Sequence, residues 1–88
     1  MDDLSFTVHV FREGDTYVAH VAELDLSSCG DTPEKARASI QDAVRGFLEV
    51  AEEKGTLAEI LGEAGYQKED GHWRAPEFVS LDRLTMTL

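Results

Sequence analysis

Three histidines, a single cysteine and eighteen carboxylates are the side chains of this 88-residue chain that can carry chemistry. His9 and His20 form the sharpest pair among them. Each sits inside a run that alternates apolar and polar residues, and the two runs are joined by a short turn. A connection of even length centred on Gly14-Asp15 places the two imidazoles opposite one another, on the face turned away from the core. Paired imidazoles on neighbouring strands are a start toward a zinc or copper site, or a proton-responsive pair. A metal needs further ligands, and the same face offers only Thr7, Phe11, Val18 and Ala22, which are poor ones. A symmetric dimer would bring four histidines together. Without that, the two are neutral histidines on a half-exposed or oligomer-facing sheet surface, and no metal or cofactor is expected.

The other reactive groups are weaker candidates. Cys29 beside a histidine would make a nucleophile. Its neighbours Leu24 and Leu26 instead favour a buried structural thiol. A two-metal nuclease needs carboxylates converging from adjacent strands, but the strand-like runs Leu4–Arg12 and Thr16–Ala22 have no acid in their interiors. Asp25 and Asp31 fall in links. The seven glycines stand singly at turns and caps rather than in a phosphate-binding loop. No catalytic chemistry is expected.

The elements that would position these residues follow from period and punctuation. Leu4, Phe6, Val8 and Val10 alternate with Ser5, Thr7, His9 and Phe11, a strand pattern. Thr16–Ala22 supplies the second strand of an antiparallel hairpin. The even register puts Phe6, Val8, Val10, Ala19 and Val21 on one face, whereas a one-residue slip would exchange the faces. Glu23–Gly30 reads as an irregular link and a short third strand near Ser27–Gly30. Thr32-Pro33-Glu34 starts a helix, with Thr32 as cap and Pro33 in the first turn. This helix carries an apolar stripe of Ala36, Ile40, Ala43, Val44, Phe47, Val50 and Ala51, and ends near Lys54 at Gly55. Thr56 and Glu59 read as a capping box for a short second helix ending near Gly65. Asp70-Gly71 joins Tyr66–Lys68 to His72–Arg74 as a hairpin, and Pro76 stops that pairing. Leu84–Leu88 alternates strictly and reads as a final strand. Val79 and Leu81 run in the opposite phase, which implies a break near Asp82-Arg83. The expected fold is a single small α/β (α+β) domain over 1–88. It has a mainly antiparallel sheet of three to four strands, one long and one short helix on one face, and the order β-β-β-α-α-β. Residues 66–88 form a C-terminal hairpin and strand extension.

Composition restricts the partners. The net charge is −10, and the basic residues are scattered rather than clustered, so direct nucleic-acid binding is not expected. An acidic surface favours a basic partner and also keeps a chain soluble. The acidic Met1-Asp2-Asp3-Leu4 start lacks the pattern of a signal peptide. No apolar run approaches the roughly 18 residues of a membrane span, and a lone cysteine suits a reducing cytoplasm. A cytoplasmic protein with no membrane contact is expected. Small domains often add stability by association, which makes a homo-oligomer, dimer or tetramer, the expected state.

Three surfaces are candidates for contact. Phe11, Val18 and Ala22, with His9 and His20, make the hairpin's outer face more apolar than a solvent face. Glu49, Glu52 and Glu53 collect at the helix C-terminal end, where acids oppose the helix dipole, and so are candidates to meet a basic partner. Leu84 and Met86 belong to a terminal strand that either closes the chain's own sheet or adds to a neighbour's edge.

From Phe6 to Leu48 the chain resembles the HicB-like antitoxin family. The carrying residues are Phe6-Thr7-Val8-His9-Val10, the turn Glu13-Gly14-Asp15, Tyr17-Val18-Ala19, Glu23-Leu24, Gly30-Asp31-Thr32-Pro33-Glu34, Ala36 and the helix that follows. Gly65-Tyr66 after the second helix also fits. The resemblance covers about half of the chain. It implies a partial ribonuclease-H-like fold, self-association, and neutralisation of a small basic HicA-like ribonuclease toxin by covering its catalytic histidine. Two features differ from the family pattern. Val21-Ala22 stands where a proline often precedes the Glu-Leu pair. The roughly 22 residues after Tyr66 read as a hairpin, a proline and a strand with no basic helix, so the operator binding common in the family is not expected. The alternative expectation is a stand-alone oligomeric structural or regulatory domain with no toxin partner.

Overall fold

A computed structural model describes residues 3–88; the Met1-Asp2 start read above lies outside the described residues. The order is β1 (Val8–Glu13), β2 (Thr16–Val21), β3 (Leu26–Gly30), α1 (Pro33–Lys54), α2 (Leu57–Glu63), β4 (Gln67–Glu69) and β5 (His72–Arg74). The first three strands form an antiparallel sheet in the order β1-β2-β3, and β4-β5 is a separate two-stranded ribbon. This is the expected β-β-β-α-α-β arrangement, with the last β a hairpin.

The first hairpin has the even register. Glu13 pairs with Thr16, leaving Gly14-Asp15 as a two-residue loop. Gly14 takes φ 63°, as the first central position of a mirror-image hairpin turn requires. Val8 then faces Val21, and Val10 faces Ala19. Ala19 and Val21 are buried and meet Ala36, Ile40 and Val44 of α1, with Phe6, Val10, Tyr17, Leu24, Leu26 and Leu48 packed around them. The long helix therefore covers one sheet face. Ser28 and Ser39 join the layers, their hydroxyls 2.6 Å apart.

The α1 boundaries are set by local chemistry. Thr32 Oγ1 accepts from the Lys35 N–H at 3.0 Å, and Asp31 pairs with Lys35 at 3.2 Å. At the other end Gly55 adopts φ 73° and donates back into the last turn, the common left-handed helix stop. In the second hairpin Asp70 and Gly71 take φ 51° and 81°, both positive, as a type I′ turn demands.

Four expectations are corrected. Thr56 does not cap α2: its side chain makes no cap bond, and its Oγ1 reaches back to the Ala51 carbonyl. Its backbone, at φ −105° and ψ 1°, lacks the extended geometry that aims a cap oxygen at the helix N–H groups. Ala43 and Val50 are exposed, and Leu48 takes the place in the stripe. Four-residue steps from Ala36 through Ile40 and Val44 lead to Leu48, so the buried line is narrower than the apolar residues permit. Cys29 is exposed rather than buried. Finally, Leu84–Leu88 forms no strand within the chain, and Leu84 and Met86 are 82% and 74% exposed.

Candidate functional site

The sheet has a covered face and an open one. Alternation along β1 and β2 that sends Val10, Ala19 and Val21 toward α1 sends their neighbours outward. His9 pairs with His20, and His20 with Ser27. In the next row Phe11 pairs with Val18, and Val18 with Cys29. Glu13 and Thr16 form a third row. Of the expected contact residues, His9, Phe11, Val18 and His20 thus share one surface. Phe11 is 51% exposed, and among the described residues no helix covers this face.

The two imidazoles are linked. His20 Nδ1 lies 2.9 Å from His9 Nε2, and His20 Nε2 lies 2.8 Å from Asp25 Oδ1. The ring of His9 also meets Phe11 edge-on, with centroids 4.9 Å apart. Asp25 reaches His20 because it occupies the left-handed region at φ 52°, which Asp tolerates better than most residues. A carboxylate only accepts, so Nε2 of His20 carries the proton. With both rings neutral, His20 Nδ1 accepts from His9 Nε2–H. His9 Nδ1 is then a bare, buried lone pair, and it has no hydrogen-bond partner.

Both ring nitrogens of His20 are engaged, so it is not free to activate the Cys29 thiol one row away. Among the described residues, no group of three or more His, Cys, Asp or Glu is placed to hold a metal ion. What remains is an apolar centre, Phe11 and Val18 with the Cys29 thiol, bordered by the Glu13 and Asp25 carboxylates. An apolar middle with a charged rim is the usual anatomy of a protein contact surface.

The remaining expected residues lie elsewhere. Glu49, Glu52 and Glu53 are exposed on α1, in the layer on the opposite side of the sheet from Phe11, so helix acids and hairpin face are two surfaces. Leu84 and Met86 lie in the exposed C-terminal segment. Sequence reasoning missed Asp25 as the partner of His20, and Cys29 as part of the open face. The signal for Cys29 was available in the alternation Leu26, Ser28 against Ser27, Cys29 once β3 is aligned with β2. Asp25 had only its turn-forming residue type to mark it.

Among the described residues no helix is long and apolar enough to cross a membrane. Compared with known proteins, the chain matches no family model, no curated protein and no solved structure.

Proposed function

We propose that this chain is a non-catalytic protein-binding module of the antitoxin type, which neutralises a small basic ribonuclease by covering its active site. The observation that carries this reading is the open sheet face, where exposed Phe11 and half-buried Val18 lie beside a histidine pair and between acidic residues. The net charge of −10 supports a basic partner by accelerating encounter and disfavouring acidic competitors. The residue pattern from Phe6 to Leu48 supports the antitoxin class. The engagement of both His20 nitrogens supports a role without chemistry of its own.

The test is inhibition. The chain is titrated against the small basic ribonuclease encoded beside its own reading frame, with RNA cleavage as the readout. Cleavage is expected to fall stoichiometrically, and Phe11→Asp to weaken inhibition by at least about tenfold, the usual scale for a buried aromatic anchor. Undiminished cleavage at molar excess of the chain, or the absence of any basic ribonuclease frame beside its own, overturns the reading. A second reading, an oligomeric structural or regulatory domain with no toxin, is favoured by one observation: the apolar C-terminal segment stands exposed.

A further inference from the structure

The segment after β5 is the most apolar exposed surface described. Phe78, Val79, Leu81, Leu84, Met86 and Leu88 are 59%, 83%, 73%, 82%, 74% and 117% exposed. The described chain is more extended than a compact one: the radius of gyration is 15.0 Å, against roughly 12 Å for a compact chain of this length. Six large apolar side chains held in water are unfavourable, and patches of this kind mark contact sites.

The same molecule carries a receptor for it. Between the N-terminal end of the sheet and α1 lies an open groove of about 470 Å³ lined mainly by Leu4, Phe6, Val8, Ile40, Val44 and Leu48, with Gln41 and Arg45 also on its wall. Its outer border is β1, whose only sheet neighbour among the described residues is β2. One row of β1 backbone groups is therefore unpaired, the usual invitation to a further strand. Val8 faces the helix side of the sheet yet is 40% exposed, because nothing closes the groove beside it.

We propose that Leu84–Leu88 of one copy adds to the β1 edge of a second copy, in a reciprocal two-fold exchange. Alternation dictates which side chains enter. In a strand beside β1, Leu84, Met86 and Leu88 share one face and fill the groove, while Thr85 and Thr87 face outward with His9 and Phe11. The occupant is a second copy because each folded chain holds its own segment out in solvent while displaying an empty groove. A self-complementary pair of that kind closes as a dimer. The exchange also supplies burial that the chain lacks, since its described core has only eight buried hydrophobic residues. It uses the β1 edge and the helix-side groove rather than the open histidine surface, which Thr85 and Thr87 only extend, and it does not rest on the toxin-binding reading.

The experiment is light scattering on the full chain across a concentration series, with circular dichroism as a folding control. Wild type is expected to be a dimer whose association tightens with added salt, because screening relieves repulsion between two acidic copies. Leu84→Asp with Met86→Asp changes only exposed residues and is expected to leave the fold intact. It should weaken self-association by at least about 100-fold through the lost apolar burial. Val8→Asp, at the groove edge, should also weaken it. An equimolar mixture of the two variants retains one intact strand-in-groove site and is expected to recover dimer at concentrations where each alone is monomeric. A strictly monomeric wild type, including one whose own segment occupies its groove, overturns the proposal. So does a tail variant that stays dimeric, or a mixture that stays monomeric.

Discussion

His20 Nδ1 and His9 Nε2 lie 2.9 Å apart across the β1–β2 ladder, and the far side of His20 is held by Asp25 at 2.8 Å. The carboxylate sets the tautomer of the first ring, and the first ring sets the tautomer of the second. Both neutral histidines should therefore carry the proton on Nε2. Nitrogen-resolved NMR of the imidazoles checks this, and an Nδ1–H signal from neutral His20 would refute the assignment. Asp25→Ala removes the orienting acceptor and should leave His20 as a mixture of tautomers.

Gly30 and α1 meet backbone to backbone. A Cβ on Gly30 would lie 2.6 Å from the Ala36 nitrogen and 2.8 Å from the Lys35 carbonyl carbon. Backbone cannot step aside as a side chain does, so Gly30→Ala must part β3 from the first turn of the helix. A loss of about 1–3 kcal/mol is expected, the range for overpacking, as read by chemical denaturation. Gly14→Ala meets nothing within 4 Å and suffers only its left-handed backbone, about 1–2 kcal/mol. Equal tolerance of Ala and Gly at position 30 would contradict the close approach.

Tyr66 confers an alkaline limit on stability. Burial, with a smaller contribution from the Glu23 carboxylate, raises its phenol to about 12 from an ordinary value of 10.0. Its hydroxyl donates to the Ser5 carbonyl, and its ring lies 5.6 Å from that of Phe6. The unfolded chain ionises first as pH rises, so the stabilisation is complete below pH 10 and declines between 10 and 12. Its size is on the order of 2 kcal/mol. Tyr66→Phe should flatten this part of the pH–stability curve, and an unchanged slope would assign the alkaline loss to other groups.

The two threonines ahead of the helices should behave differently. Thr32→Ala loses the bond from the Lys35 N–H and should cost about 1 kcal/mol. Thr56 makes no cap bond to α2, and Thr56→Ala should cost only a few tenths, since a long contact to Ala51 is all it loses. Thermal melts of the two variants compared with wild type decide the ranking.

Cys29 reports on the open face. As an exposed thiol on β3, it should react with a water-soluble alkylating reagent at a rate close to that of a free thiol. A partner seated over Phe11 and Val18 should slow that reaction severalfold, whereas association through the β1 edge should not. Slow labelling of the isolated chain would show that another surface covers the face.

Much of this architecture is local and was legible in the residues. The two-residue loop at Gly14-Asp15 sets the hairpin register, and register alone brings His9 opposite His20. Thr32, Pro33 and Gly55 bound the long helix within one turn of its ends. Asp70-Gly71 defines the second hairpin. These features depend on contacts within about four residues, where steric rules and turn chemistry act directly on residue type. Other features depend on what lies across space. The narrow buried stripe of α1 follows from where the sheet meets it, which leaves Ala43 and Val50 outside although their types suit a core. Cys29 is exposed because α1 covers the other face of β3. Asp25 finds His20 only when the turn before β3 takes a left-handed residue. An alternating Leu84–Leu88 carries the preference for a strand but not its partner, because a strand exists only where a neighbour accepts its hydrogen bonds. Period and punctuation therefore determined the elements and their faces. Tertiary packing decided which faces are closed, which stay open, and that Leu84–Leu88 pairs with no strand among the described residues.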